Sequence, residues 1–195
     1  MITHIIFDVG GVIVDTGNFP INTASFVART IQSPILKIRA KYRALLPKLE
    51  SNKATLSKLD EKGAAKILDA YRLSVEKLFK VNKEVLDIAL KLKKKYKVGI
   101  LSNIDRYLAD IPMHQKIYSL FDKNLVVLSY KYGVRKPERK VYEIFLKKAR
   151  VAPENCLFID DSLDNVRAAK KLGIKAILYE NPKKLKTDLI KHLRE

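Results

Sequence analysis

The chain has 195 residues, 47% of them hydrophobic, which is enough to bury a core as one domain with a sizeable insertion. Its single cysteine, Cys156, excludes an internal disulfide framework, no apolar run approaches the roughly 20 residues of a membrane helix, and Ile5-Ile6-Phe7 stops too early at Asp8 to be a secretory signal, so a soluble cytoplasmic protein without a membrane partner is expected. The formal net charge of +18 allows steering of small anions or a nucleic-acid partner; the basic residues are spread along the chain without a recognition motif or stripe, so a solvated surface is the plainer reading and nucleic acid is not expected.

The first predicted strand is HIIF, residues 4–7, ending at Asp8 and followed by a turn through Gly10 and Gly11. From Asn18 to Lys80 nothing reads as a strand, while helical periodicity recurs. Ser33-Pro34 can open one helix there, and Ser57 to Tyr71 carries Leu59, Ala64, Ile67, Leu68 and Tyr71. Residues 18–80 are too many for an ordinary crossover and are read as a small helical insertion. Residues 1–17 and 81–195 then form the remaining domain. Asn82 caps a helix over Glu84–Tyr96 that carries Val85, Leu86, Ala89 and Leu90 at helical spacing. KLKKKYK at 91–97 is its polar end. KVGIL at 97–101 is the second strand and NLVVL at 124–128 the third. A helix over Pro137–Arg150 follows, then CLFI at 156–159. A helix from Leu163 to Leu172 is stopped by Gly173. KAIL at 175–178 and a tail helix opened by Asn181-Pro182 complete the pattern. Strands alternating with helices predict an α/β fold with a parallel sheet.

The residues that carry chemistry share one address. Asp8 ends the first strand, Ser102-Asn103 the second, Asp160-Asp161 the fourth, and Lys136-Pro137 opens the helix after the third. Singly, each has a plain structural use as a turn, cap or surface residue. Parallel neighbouring strands would bring them to one sheet edge, where ligands bind in open α/β sheets. A carboxylate, a hydroxyl with an amide, an ammonium and a carboxylate pair gathered there suit a divalent cation and a phosphate. Mg²⁺ takes one or two carboxylates together with phosphate oxygens and waters.

In this order the residues resemble the haloacid dehalogenase-like (HAD) superfamily. FDVGGVIVD is similar to its motif I, GILSN to motif II, GVRKPERKVY to motif III and FIDDSLDNVRAAKKLGIKAIL to motif IV. The branch it resembles is the sugar-phosphate phosphatase-like and epoxide-hydrolase N-terminal-domain-like group. The resemblance implies a Rossmann-like three-layer sandwich with strand order 5-4-1-2-3 and a small all-helical C1 cap inserted after the first strand. It also implies a Mg²⁺-dependent phosphatase acting on small phosphorylated metabolites, sugar phosphates among them. In that scheme Asp8 forms an aspartyl-phosphate, and Ser102 and Asn103 bind phosphoryl oxygens or substrate. Lys136 neutralises nucleophile and phosphate. Asp8, Asp161 and the Gly10 carbonyl ligate the metal, with Asp160 and Asn165 supporting it.

The departure from the pattern is Gly10, where phosphatases of this superfamily carry an aspartate as general acid and base. A turn requiring positive φ at Gly10 and Gly11 is one explanation. Asp15 is a candidate substitute, although a loop cap is the plainer reading of it. Gly10 keeps a second reading open, a catalytically weak binding or regulatory protein. A 2-haloacid dehalogenase is a third, against which the carboxylate pair Asp160-Asp161 argues.

Overall fold

The computed structural model describes residues 1–17, 21–30, 35–54 and 64–193. In chain order these form β1 (His4–Phe7), β2 (Val14–Asp15), α1 (Ile21–Thr30), α2 (Ile35–Glu50), α3 (Ala64–Leu78), β3 (Lys80–Val81), α4 (Lys83–Leu92), β4 (Lys97–Ser102), α5 (Arg106–Ala109), α6 (Pro112–Ser119), β5 (Val126–Leu128), α7 (Arg139–Ala149), β6 (Cys156–Asp160), α8 (Leu163–Lys171), β7 (Lys175–Leu178) and α9 (Pro182–Leu193). Five of the strands build one sheet in the order β5-β4-β1-β6-β7, parallel throughout. Numbered as the five predicted strands, this is 5-4-1-2-3 as the family resemblance implies.

β1 lies at the centre because it is apolar on both faces, as strands covered on both sides must be. Ile5 and Phe7 join the core shared with Val85 and Ala89 of α4, Ile117 of α6 and Leu185 and Leu189 of α9. Ile6 points the other way, to Val141, Tyr142 and Phe145 of α7 and Val166 and Ala169 of α8. Fully burying each such side chain stabilises by about 1.5–3 kcal/mol. The alternation therefore fixes β1 with its carboxyl end level with those of β4 and β6, Phe7 pairing Ile100 on one side and Ile159 on the other.

The predicted elements hold with shifted ends, the second and fourth strands each running one residue further, to Ser102 and Asp160. The third strand loses Asn124 and Leu125 to a 3₁₀ turn, because the Asp122 carboxylate accepts the Asn124 amide at 2.8 Å and bends the chain. The helix predicted over Pro137–Arg150 begins at Arg139. Asn82 caps α4, its Oδ1 accepting the Val85 amide. Ser33, Pro34 and the stretch 57–63 lie outside the described residues. The inserted helices α1, α2 and α3 pack on one another through Ala24, Val27, Tyr42, Leu49, Ile67, Tyr71 and Val75. In α3, buried Ile67, Ala70, Tyr71 and Val75 follow the spacing of one helical face.

The expectation of no strand between 18 and 80 fails at its last residue. Lys80 opens β3, which pairs antiparallel with β2 through Val14↔Val81 and Asp15↔Lys80. Two residues have no period to recognise in a sequence. This ribbon joins the chain leaving the sheet to the chain returning from the inserted helices.

Gly99 in β4 marks a close approach: a Cβ there would lie 2.5 Å from the Leu125 carbonyl oxygen and 2.8 Å from Phe145 Cζ. Gly99→Ala should therefore overpack the sheet edge and lower stability by about 1–3 kcal/mol, measured as the urea midpoint. An unchanged midpoint would show that this edge yields freely.

Candidate active site

The ends of β1, β4 and β6 place three of the predicted groups. The Asp8 amide continues the ladder past β1 by donating to the Ile159 carbonyl at 2.9 Å, and the Val9 amide donates to Asp8 Oδ1 at 2.6 Å. Ser102 closes β4 and is buried. Asp160 closes β6 and is fully buried. Lys136 comes from the loop before α7, and its Nζ lies 2.8 Å from Asp8 Oδ1 and 2.7 Å from Asp160 Oδ2. This lysine is among the largest fully buried side chains of the protein. Asn103 fixes it from behind: the Lys136 amide donates to Asn103 Oδ1 at 2.8 Å, and Asn103 Nδ2 donates to the Lys136 carbonyl at 2.9 Å.

Asp160 is occupied on both oxygens. Oδ1 accepts from the Ser162 amide at 2.8 Å and Asn165 Nδ2 at 3.0 Å; Oδ2 accepts from Lys136 and, at 3.1 Å, from Asn165. Asn165 is held by α8, and its own carbonyl accepts the Tyr142 hydroxyl at 2.9 Å. Asp161 is exposed. One carboxylate oxygen each from Asp8, Asp160 and Asp161 lie within 4.8 Å of one another.

The electrostatics follow from three carboxylates facing one ammonium. Burial pushes the Asp8 carboxyl well above its usual range; Lys136 opposes this, while Asp160 and Asp161 add to it. Asp161 reaches solvent, yet the chain packed around it desolvates it in part and raises it, with Asp160 adding and Lys136 opposing. For Lys136, burial alone would depress the ammonium, yet the Asp160 and Asp8 carboxylates outweigh it and hold the group above its ordinary value. The cluster is short of positive charge. Asp8 and Asp161 offer hard oxygen donors to a divalent cation, with the third carboxylate committed to Lys136. These residues fit Mg²⁺.

The two glycines of the first loop behave differently. Gly11 has φ of 79°, and a Cβ on it would lie 2.1 Å from Asp161 Oδ2. Gly10 is outside the left-handed region, and a Cβ on it would meet only Thr16 Cγ2, at an ordinary 3.7 Å. The expectation that positive φ explains both glycines is thus corrected: it explains Gly11 alone. Asp15 is exposed and accepts the Gly17 amide at 2.8 Å, a turn contact.

Asp8, Gly10, Ser102, Asn103 and Asp161 line one cavity of about 210 Å³. Its wall also includes residues with no motif to announce them: Glu50 from α2, Phe79 between α3 and β3, and His114 from α6. Burial pushes the His114 imidazole down to about 4, so it is neutral at pH 7. The ring stacks on Tyr118 with centroids 6.1 Å apart. The inserted helices reach this region through buried polar contacts. The Tyr42 hydroxyl donates to Tyr71 at 3.0 Å, and Tyr71 donates at 2.5 Å to Asp105, the N-cap of α5.

A family profile for haloacid dehalogenase-like hydrolases matches residues 5–179. The chain belongs to that family. This HAD-like hydrolase is 26% identical over 194 aligned residues to the D-ribitol-5-phosphate phosphatase of Bacteroides thetaiotaomicron, the alignment covering 93% of each chain. Its fold is similar to that of a predicted HAD-like family hydrolase from Porphyromonas gingivalis, with TM-score 0.79, 24% identity and coverage of 100% of this chain and 99% of the other. A HAD-family enzyme from Bacteroides thetaiotaomicron, solved with magnesium and inorganic phosphate, superposes with TM-score 0.70, 22% identity and coverage of 92% and 95%.

If Asp161 is a direct cation ligand of this HAD-like hydrolase, Mg²⁺ at about 100-fold above its dissociation constant should stabilise the fold by about 2.7 kcal/mol, read as a rise in Tm. Asp161→Asn should remove most of that rise. Gly11→Ala should reduce it as well, through the displaced carboxylate. Equal rises in all three proteins would show that the cation sits elsewhere.

Proposed function

We propose that this HAD-like hydrolase is a Mg²⁺-dependent phosphatase of small phosphorylated metabolites, with sugar phosphates the favoured class. The observation that carries the reading is the buried Lys136 ammonium bridging Asp8 and Asp160 beside Asp161. The similarity to a D-ribitol-5-phosphate phosphatase supports the substrate class. In this reading residues 1–17 and 81–195 are the catalytic domain, and 18–80 is a cap that selects the substrate. The charge of +18 favours arrival of anionic substrates.

The chemistry divides one difficult hydrolysis into two displacements. An Asp8 carboxylate oxygen bonds to phosphorus as the ester oxygen departs, and water then displaces Asp8 and releases inorganic phosphate. Lys136 favours the ionised form of Asp8 against its burial and balances charge on the phosphoryl oxygens. Ser102 donates its hydroxyl to one of those oxygens, while the grip of Asn103 on the Lys136 backbone holds the ammonium in place. Bound Mg²⁺, held by Asp8, Asp161 and the Gly10 carbonyl, would offset the repulsion between anionic nucleophile and anionic substrate. Asp160 and Asn165 orient this set without touching substrate.

Gly10 favours a second reading, a protein of this fold that binds phosphorylated ligands with little turnover. Phosphate release from a panel of phosphomonoesters, with and without Mg²⁺, separates the two. Turnover should require Mg²⁺, and Asp8→Asn should reduce it by on the order of 10⁴-fold or more with Tm preserved. Full activity in excess chelator would remove the metal from the scheme and return the dehalogenase reading.

A further inference from the structure

Gly10 offers no proton to the departing ester oxygen, although a Cβ there would meet nothing closer than Thr16 Cγ2 at an ordinary 3.7 Å. Among the described residues lining the cavity, the carboxyl groups are those of Asp8, Asp161 and Glu50. The first two are committed to the phosphoryl group and the cation in the proposed function. Glu50 is the last residue of α2, one of the inserted helices.

Its placement is fixed at both ends. The Glu50 carbonyl accepts the Ser129 hydroxyl at 2.6 Å, and the same Ser129 oxygen accepts the Ile104 amide at 2.9 Å, two residues beyond Ser102. The Glu50 side chain is tied to Arg135, whose Nε donates to Oε2 at 2.6 Å. Arg135 directly precedes Lys136. Oε1 has no hydrogen-bond partner among the described residues. Glu50, a residue of the cavity lining, is therefore anchored to the loop that carries Asn103 and to the loop that carries Lys136, with one carboxylate oxygen uncommitted.

We infer that Glu50 is the catalytic proton donor and acceptor of this site, supplied from the inserted helices to the place that Gly10 leaves without one. The inference rests on the phosphatase reading. In the first displacement an Asp8 oxygen forms a bond to phosphorus, the bond from phosphorus to the ester oxygen breaks, and that oxygen takes the Glu50 proton and leaves as an alcohol. In the second, the Glu50 carboxylate takes a proton from water as the water oxygen bonds to phosphorus. The bond between phosphorus and Asp8 breaks, inorganic phosphate leaves, and both carboxyl groups return to their starting states.

The environment suits the task. Burial raises the Glu50 carboxyl above its ordinary value; Arg135 opposes this by charge and hydrogen bond, Asp105 adds to it, and Lys136 opposes. A raised carboxyl holds a proton nearer to neutral pH than an exposed one does. The rivals fit less well: His114 is deprotonated far below neutrality, and Asp15 is turned to the Gly17 amide.

The test compares wild type, Glu50→Gln and Glu50→Gln/Gly10→Asp, each with Mg²⁺, on a simple alkyl phosphate and on p-nitrophenyl phosphate. An alkoxide needs the proton far more than a nitrophenolate does. Glu50→Gln should lower kcat/KM on the alkyl ester by about 10²–10⁴-fold and on the aryl ester by less than about 10-fold. The double variant should recover part of the alkyl activity, because the backbone at position 10 admits a Cβ without a close contact. Equal losses on both esters, or none on either, would overturn the role of Glu50 while leaving the phosphatase reading intact. A wild type that releases phosphate from neither ester nor from the metabolite panel would overturn the phosphatase reading and this inference with it. Should Glu50→Gln fail to fold, wild type alone decides through a series of aryl phosphates: a shallow dependence of rate on leaving-group pKa supports the donor, and a steep one overturns it.

Discussion

A lysine ammonium buried between two carboxylates organises this protein. Lys136 satisfies Asp8 and Asp160 at once, and each of the three would be costly to bury alone. The loop after β1, the end of β6 and the loop before α7 are thereby held together by charge as well as by the sheet. Asn103 adds β4 to the same arrangement by gripping the Lys136 backbone. Electrostatic and architectural demands meet in one side chain, since the group that locks the sheet edge also sets the charge beside Asp8, which lines the cavity.

The inserted helices are bound to that edge through polar groups rather than through an apolar seam alone. Tyr42, Tyr71 and Asp105 form a buried chain of hydrogen bonds from α2 through α3 to the cap of α5. Ser129 and Arg135 fasten the end of α2 from the other direction. Buried polar chains of this kind are favourable only when every member is satisfied. They specify one seating of the helices over the cavity where a greasy contact would permit several.

Much of this was legible in the sequence because the relevant signals are local. Asp8, Ser102, Asp160 and the helix starts near Lys136 and Asp161 each sit beside an apolar run whose length and flanks mark a strand. Asn82 and Gly173 could be recognised as helix start and stop for the same reason. The order of the strands required the family resemblance, since periodicity carries no information about which strands are neighbours. Glu50 was invisible: its partner Arg135 is 85 positions away, and a glutamate at the end of a lysine-rich helix looks like any solvated residue. The β2–β3 ribbon was missed because pairs of residues this short owe their strand geometry to each other and not to their composition.

The two neighbouring glycines of the first loop differ in what natural variation could do with them. At position 11 the left-handed backbone and the adjacent Asp161 carboxylate both exclude a side chain, so descent with modification has nowhere to go without dismantling the site. At position 10 neither barrier exists. The backbone at position 10 does not require glycine, and a first side-chain carbon could be added there in a single replacement.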